Sequence, residues 1–297
     1  MAAIVSPGTR QAEDRVSRGL WRDAFSRLVR NGPALVGLVF ITVFVLAAIL
    51  APVLAPGDPV IGKLADRLQQ PGAAHLMGTD LQGRDEFSRI LYGARVSLLV
   101  GVVSVLMGLL MGGLVGAAAG AMGGRVDNVL MRVVDVLLAI PGILLAIGIV
   151  AWLDRGLPQI MLAVAATNAP IFARILRGSL LANRDVDYVN AARSVGASKM
   201  RVLVRHMLPN SLTSLIVAAT LALATAIIDV AGLGFLGLGP PDPRTPEWGT
   251  MLTDATQFLR IAPFLIFFPG IAIVVSAIGF NLLGDGLRES LDPRLKR

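Results

Sequence analysis

The chain contains no cysteine and only two histidines, His75 and His206. Structural disulfides, thiolate metal centres and thiol nucleophiles are thereby excluded, and two histidines argue against an all-protein zinc site. Charge is scarce as well: 16% of the 297 residues are Asp, Glu, Lys or Arg, against about 25% in ordinary soluble domains. The Walker lysine motif, the paired histidines of metalloproteases and the Gly-x-Ser-x-Gly elbow are all missing. Nothing predicts a reaction carried out by this chain itself.

Apolar sequence is what the chain has in excess. Hydrophobic residues make up 55% and the mean hydropathy is +0.71, more apolar surface than a water-soluble fold of this size can hide. Charged residues are absent from 31–57, 96–124, 136–153, 156–173, 206–228 and 261–284. Each stretch holds about 18 residues or more, the length a helix needs to cross roughly 30 Å of hydrocarbon. The reading is an all-α, polytopic membrane protein with six transmembrane helices.

The net charge of +7 would suggest nucleic acid in a soluble protein, but here the positives serve to orient the bundle. Lys and Arg number six before the first span, two between the second and third, seven between the fourth and fifth, and four in the C-terminal tail. That places 19 on one side and leaves 8 on the other. Cytoplasmic loops keep Lys and Arg, so both termini are expected in the cytoplasm. The expected organisation is a cytoplasmic N-terminal segment over 1–33, a membrane domain over 34–284 and a cytoplasmic tail over 285–297. A long external loop covers about 56–95 and a cytoplasmic loop about 174–210. The apolar core of the N-terminal region begins too late and runs too long for a cleavable signal peptide. Between Glu13 and Arg30 the apolar residues recur at helical spacing opposite Arg and Asp, which predicts an interfacial amphipathic helix.

Two short motifs are set aside. Gly284-Asp285 resembles part of the Gly-x-Gly-Asp of intramembrane aspartyl proteases, but Leu282 stands where the first glycine belongs; a helix C-terminus with Gly286 behind it accounts for the pair. Asp80 to Asp85 lacks the alternating ligands of a calcium loop and reads as a surface turn with satisfied polar groups.

The loop from Asp185 to Asn210 is the informative segment. Asp185 or Asp187 is placed to cap a short helix carrying Ala191 and Ala192, Gly196 breaks it, Ser198 is placed to cap the next helix, and Pro209 marks a new direction. The expectation is a helix-turn-helix outside the membrane. At this loop the sequence resembles the permease subunits of ATP-binding-cassette importers, whose signature is Glu-Ala-Ala, three residues, Gly, nine residues, Ile-x-Leu-Pro. The chain matches at Ala191, Ala192, Gly196, Leu208 and Pro209, and departs at Asn190 and His206. His75 to Asp80 with Gly83-Arg84-Asp85, Gly93 to Leu98, Asp135 to Pro141, Gly234 to Gly239 and Asn281 to Arg288 narrow the resemblance to the dipeptide, oligopeptide and nickel branch, nearest the C-type permease of the dipeptide system.

The resemblance implies a type I importer permease fold in a bacterial cytoplasmic membrane. It implies a second homologous permease as partner, two cytoplasmic ATPases beneath and an external substrate-binding protein above. ATP and magnesium would belong to the ATPases, leaving no cofactor, metal or catalytic residue in this chain. The ATPase-coupling loop would comprise Asp187, Tyr188, Asn190, Ala191, Ala192, Gly196, Ala197, Ser198, Leu208 and Pro209. Nickel or haem import by the same architecture is one alternative. A proton-coupled secondary transporter using Asp135 and Asp229 is another, and it would leave the loop unexplained.

Polar residues within the apolar runs are costly and so mark function or packing. Asp229 is a candidate pathway or gate residue, or a partner to a polar group of the other permease. Thr167 and Asn168, beside Pro170, either line the pathway or satisfy a helix kink. Asp135, three residues after Arg132, reads as a helix-end ion pair. Glycines 101, 108, 112, 116 and 120 along the second span predict close helix packing.

Overall fold

The computed structural model describes residues 25–242 and 244–291, and among them the architecture is helical throughout, with one isolated bridge between Thr79 and Asp85. In chain order the helices are α1 (Gly32–Leu54), α2 (Glu86–Met122), α3 (Gly124–Ala139), α4 (Gly142–Leu153), α5 (Leu157–Ala182), α6 (Asp187–Ser194), α7 (Lys199–Val202), α8 (Leu208–Leu233), α9 (Trp248–Ala255) and α10 (Phe264–Leu291). Five of them, α1, α2, α5, α8 and α10, are long and apolar enough to span a bilayer.

The third expected span is a broken one. Its residues divide between α3 and α4, which meet at an angle of 94°, so six spans result only when the pair counts as one. Pro141 supplies the cause: it has no N–H to donate, and it drives the preceding Ile140 into an extended conformation with φ −87° and ψ 129°. Other spans begin or end away from the edges of the uncharged runs. The fourth continues to Ala182 and carries Arg174 and Arg177 into what the charge pattern assigned to loop. α10 runs through Gly284 and Gly286 to Leu291 rather than stopping there; Leu221 packs where a side chain at Gly284 would stand, and Ala34 where one at Gly286 would. The amphipathic helix expected over 13–30 lies largely outside the described residues, which include only a helical turn at 25–28.

Packing follows the small residues. Along α2, a side chain at Gly112 or Gly116 would fall inside van der Waals contact of the Ala169 or Ala173 carbonyl of α5. The two backbones therefore touch, which is how helices gain dispersion energy where no hydrophobic effect separates them from lipid. The core closes with Val100 and Val105 of α2, Ile160, Val164, Phe172, Leu176 and Leu180 of α5, and Val230 and Leu233 of α8. α1 packs on the other side, tied to α10 where Asn31 Nδ2 donates to Glu289 Oε2 at 2.6 Å.

Candidate functional site

α6 begins at Asp187 with Val186 at its N-cap and no side chain capping it, so neither Asp185 nor Asp187 takes the capping role expected of it. Its C-terminus is a Schellman ending. The Ala197 N–H donates to the Ala192 carbonyl at 3.1 Å and the Gly196 N–H to the Arg193 carbonyl at 2.9 Å, with Gly196 at φ +83°. An L side chain is strained there, so the glycine is a conformational requirement rather than a packing one; no atom lies within 4 Å of a Cβ at this position. Ser198 then caps α7, its hydroxyl accepting from the Arg201 N–H at 3.4 Å. A π turn over Leu203–Met207 joins α7 to α8 just before Pro209, which cannot donate to the preceding turn.

Val189 is fully buried and Val202 and Met207 nearly so, and with half-buried Ala192, Ala197 and Leu208 they bind the loop to the end of the bundle. Of the two alanines, Ala192 faces in and Ala191 faces out. Tyr188 is exposed, and its hydroxyl accepts from Asn210 Nδ2 at 3.1 Å, linking the start of α6 to the start of α8. Asn190 donates to the Asp185 carbonyl at 3.1 Å and receives Arg193 at 3.4 Å, so the residue standing where the importer signature has Glu closes the loop onto itself. The outer surface is apolar and basic together: Val195 is 85% exposed and Met200 67%, with Arg193, Lys199, Arg201 and Arg205 around them.

Two ion pairs brace the helix that leads into this loop. Arg177 Nε and Nη2 donate to Asp127 Oδ1 and Oδ2 at 2.9 and 2.7 Å, a bidentate pair in which Asp127 is 8% exposed. Asp135 pairs with Arg174 of α5. The helix-end pair expected with Arg132 is thus replaced by a bridge between helices, because α3 lies along the C-terminal end of α5 and offers its carboxylate to Arg174. Asp127 and Asp135 are eight residues apart, just over two helical turns, which was the available signal for one acidic face.

Within the bundle, Thr167 Oγ1 and Asn168 Nδ2 both donate to the Val164 carbonyl, at 2.8 and 2.9 Å. Their polarity is thereby satisfied beside Pro170. Asp229 is half-buried in α8 and makes no hydrogen bond or ion pair with any described residue.

At the end of the bundle opposite α6, residues 79–89 form a buried charge cluster rather than the surface turn read from the sequence. Asp80, Arg84, Asp85, Glu86 and Arg89 are all under 9% exposed. Asp80 Oδ2 accepts from Arg84 Nε at 2.5 Å and Arg89 Nη1 at 2.9 Å, and Asp80 Oδ1 accepts the N–H groups of Gln82 and Arg84 at 2.9 Å. Asp85 caps α2 through the Ser88 N–H at 2.8 Å and also meets His75 Nδ1 at 3.0 Å. α9 packs here: Trp248 is fully buried opposite Gly93, and its Nε1 donates to the Ile90 carbonyl at 3.2 Å. Glu247, 1% exposed, caps α9 by accepting the Gly249 and Thr250 N–H groups at 2.8 Å. Burial raises its carboxyl above the ordinary range, and those two donors pull it back. Asp254, at the rim, is raised by burial, opposed by Arg89 and Arg84.

These residues build a broken helical bundle with a capped helix-turn-helix projecting from one end. Residues 108–297 match the family described as binding-protein-dependent transport system inner membrane component, and residues 19–72 match the N-terminal transmembrane domain of oligopeptide transport permease C. The chain belongs to the first of these families and is a membrane-embedded permease subunit of an ATP-binding-cassette importer. It is 46% identical over 276 residues to the dipeptide transport system permease protein DppC of Alkalihalophilus pseudofirmus, covering 93% of this chain and 90% of that one. Identity to the glutathione transport system permease protein GsiD of Pectobacterium atrosepticum is 43% over 284 residues, covering 95% and 94%. Among solved structures, the inward-facing MetNI methionine ABC transporter shares the fold at TM-score 0.57 and 20% identity, over 69% of this chain and 96% of that one.

Proposed function

We propose that this chain is one of two transmembrane subunits of a peptide importer, that dipeptides or peptides of similar size are its cargo, and that the 185–209 loop is where ATPase motion enters the bundle. The observation that carries the reading is the loop itself. A Schellman-ended helix anchored by Val189 and Met207 presents Val195 and Met200 to the outside, a surface shaped for a protein partner. The names of two relatives that the chain resembles, dipeptide and glutathione permeases, support a peptide-type cargo. The Lys and Arg asymmetry supports cytoplasmic termini and a cytoplasmic loop.

In this reading the chain pairs with a homologous permease around a central pathway, two ATPases bind ATP and magnesium beneath it, and a binding protein delivers cargo from outside. Closure of the ATPases draws the two loops together and turns the cavity outward, and hydrolysis resets it. The unpartnered Asp229 of α8 faces the pathway or the second permease, and Thr167 and Asn168 keep α5 intact beside Pro170. The Arg177–Asp127 and Arg174–Asp135 pairs transmit loop motion to the bent α3–α4 segment.

Reconstituting the chain with its partner permease, ATPases and binding protein in proteoliposomes tests this directly. Uptake of labelled alanyl-alanine should require ATP and the binding protein. Uptake of nickel or haem but not peptide would overturn the cargo, and uptake driven by a proton gradient without ATPases would overturn the mechanism.

A further inference from the structure

α3 carries an apolar face that no described residue covers. Val126, Val129, Val133, Val136 and Ile140 stand three or four positions apart and so form one stripe along the helix. All five are exposed, Val129 at 64% and Val136 at 60%, while the opposite face buries Asp127 and Val134.

The bend at Pro141 decides where this face lies. A side chain at Gly142 would touch Thr167, and Ala146 and Val150 pack with Ile160 and Val164, so α4 runs back along the first half of α5. α3 turns off from α4 at 94°. Its two carboxylates meet Arg174 and Arg177, the first charges of α5 after the apolar run that ends at Ala173. From Leu157 to Ala173 that helix rises about 26 Å, close to the thickness of the hydrocarbon layer. α3 therefore lies across the edge of the apolar layer, at headgroup level.

The ion pairs set the charge that the helix presents. Asp127 is taken by Arg177 and Asp135 by Arg174. Arg125 and Arg132, along one edge of the stripe, are exposed and form no ion pair with any described residue. Two turns apart, they leave α3 with two unopposed guanidinium groups beside a valine face. Another helix packed here would have to bury or pair both charges. At headgroup level a phosphate answers each one, while the arginine stems stay along the apolar surface.

We propose that the outer face of α3 is a binding surface for anionic phospholipid, with the valine stripe among the acyl chains and Arg125 and Arg132 on the lipid phosphates.

Val133 lies in the middle of the stripe, and the chain has no cysteine, so Val133→Cys carries a bimane reporter without background. The assembled complex of both permeases and the ATPases is reconstituted in phosphatidylcholine vesicles. Increasing amounts of phosphatidylglycerol or phosphatidylcholine, spin-labelled near the headgroup end of one acyl chain, are then included as quencher. Half-quenching should need at least threefold less of the labelled phosphatidylglycerol. Adding Arg125→Gln and Arg132→Gln, at exposed and unpaired positions where folding is least at risk, should bring the two lipids within about 1.5-fold and leave quenching by phosphatidylcholine unchanged. Equal quenching by the two lipids before those substitutions, or a preference that survives them, would overturn the anionic site. Quenching by neither lipid would overturn the lipid assignment altogether and give the face to the second permease or to water.

Discussion

At one end of the bundle Asp80, Arg84, Arg89 and Glu247 are almost wholly buried, and their hydrogen bonds run to one another, to the backbone and to the side chains of Gln82 and Ser97. At the other end Arg193, Lys199 and Arg201 stand exposed around Val195 and Met200, and Val189, Val202 and Met207, with half-buried Ala192, Ala197 and Leu208, hold the loop down. The first end holds most of its charges against one another, with Arg89 Nε left over; the second turns apolar residues outward. A segment whose charges are spent internally keeps a fixed shape, and one whose apolar residues remain outside is shaped for a partner. For an importer this division is useful. On the function proposed above, the end holding residues 79–89 is the entry side and stays ordered while cargo is handed over, and the end holding α6 faces the ATPases and moves with them.

The comparison breaks most severely at Asp80. Asp80→Ala leaves the Arg84 and Arg89 guanidinium groups buried without the carboxylate that both contact, and should cost about 3–5 kcal/mol. The readout is thermal unfolding of the purified complex, together with protease sensitivity at residues 56–85. Gly112→Val comes next, since its side chain would displace the Ala169 carbonyl; overpacking of about 1–3 kcal/mol should separate α2 from α5 and lower the melting temperature.

Gly196→Val sharpens the comparison, because open space surrounds the position and only the backbone at φ +83° is at stake. Strain of about 1–3 kcal/mol confined to the loop should leave membrane insertion and the folded bundle intact while peptide-stimulated ATP hydrolysis falls. A variant that instead loses the whole bundle would deny the loop its independence.

The smallest effect is a pH dependence. The Asp254 carboxyl is raised by burial in the folded chain, so it favours folding when protonated; that contribution is full below pH about 3.8 and fades as pH rises through the raised value. Stability of the α9 end should therefore decline over the weakly acidic range, and Asp254→Asn should flatten the decline.

Long uncharged runs located the five helices that are long and apolar enough to span, since apolar length decides what a bilayer accepts. They could not locate the break at Pro141, because α3 and α4 are apolar enough together to pass as one helix and the bend depends on a single missing N–H. In the loop, Gly196, Ser198 and Pro209 were legible because each acts on its own backbone. Pairings between distant elements were not: Arg174 with Asp135, Arg177 with Asp127, and Trp248 against Gly93 join residues 39, 50 and 155 positions apart. The same limit hid the 79–89 cluster, whose charged residues read as solvent-facing until α9 and the segment before α2 closed over them.

Because the chain has no cysteine, one introduced thiol reports on the loop without background, and Val195→Cys tests the account most directly. In membranes holding the complete complex, labelling by a thiol reagent applied from the cytoplasmic side should be at least tenfold slower than in membranes stripped of the ATPases, and a membrane-impermeant reagent outside intact cells should not label it. Equal labelling with and without the ATPases, or labelling from outside, would contradict the assignment of this loop as their docking site.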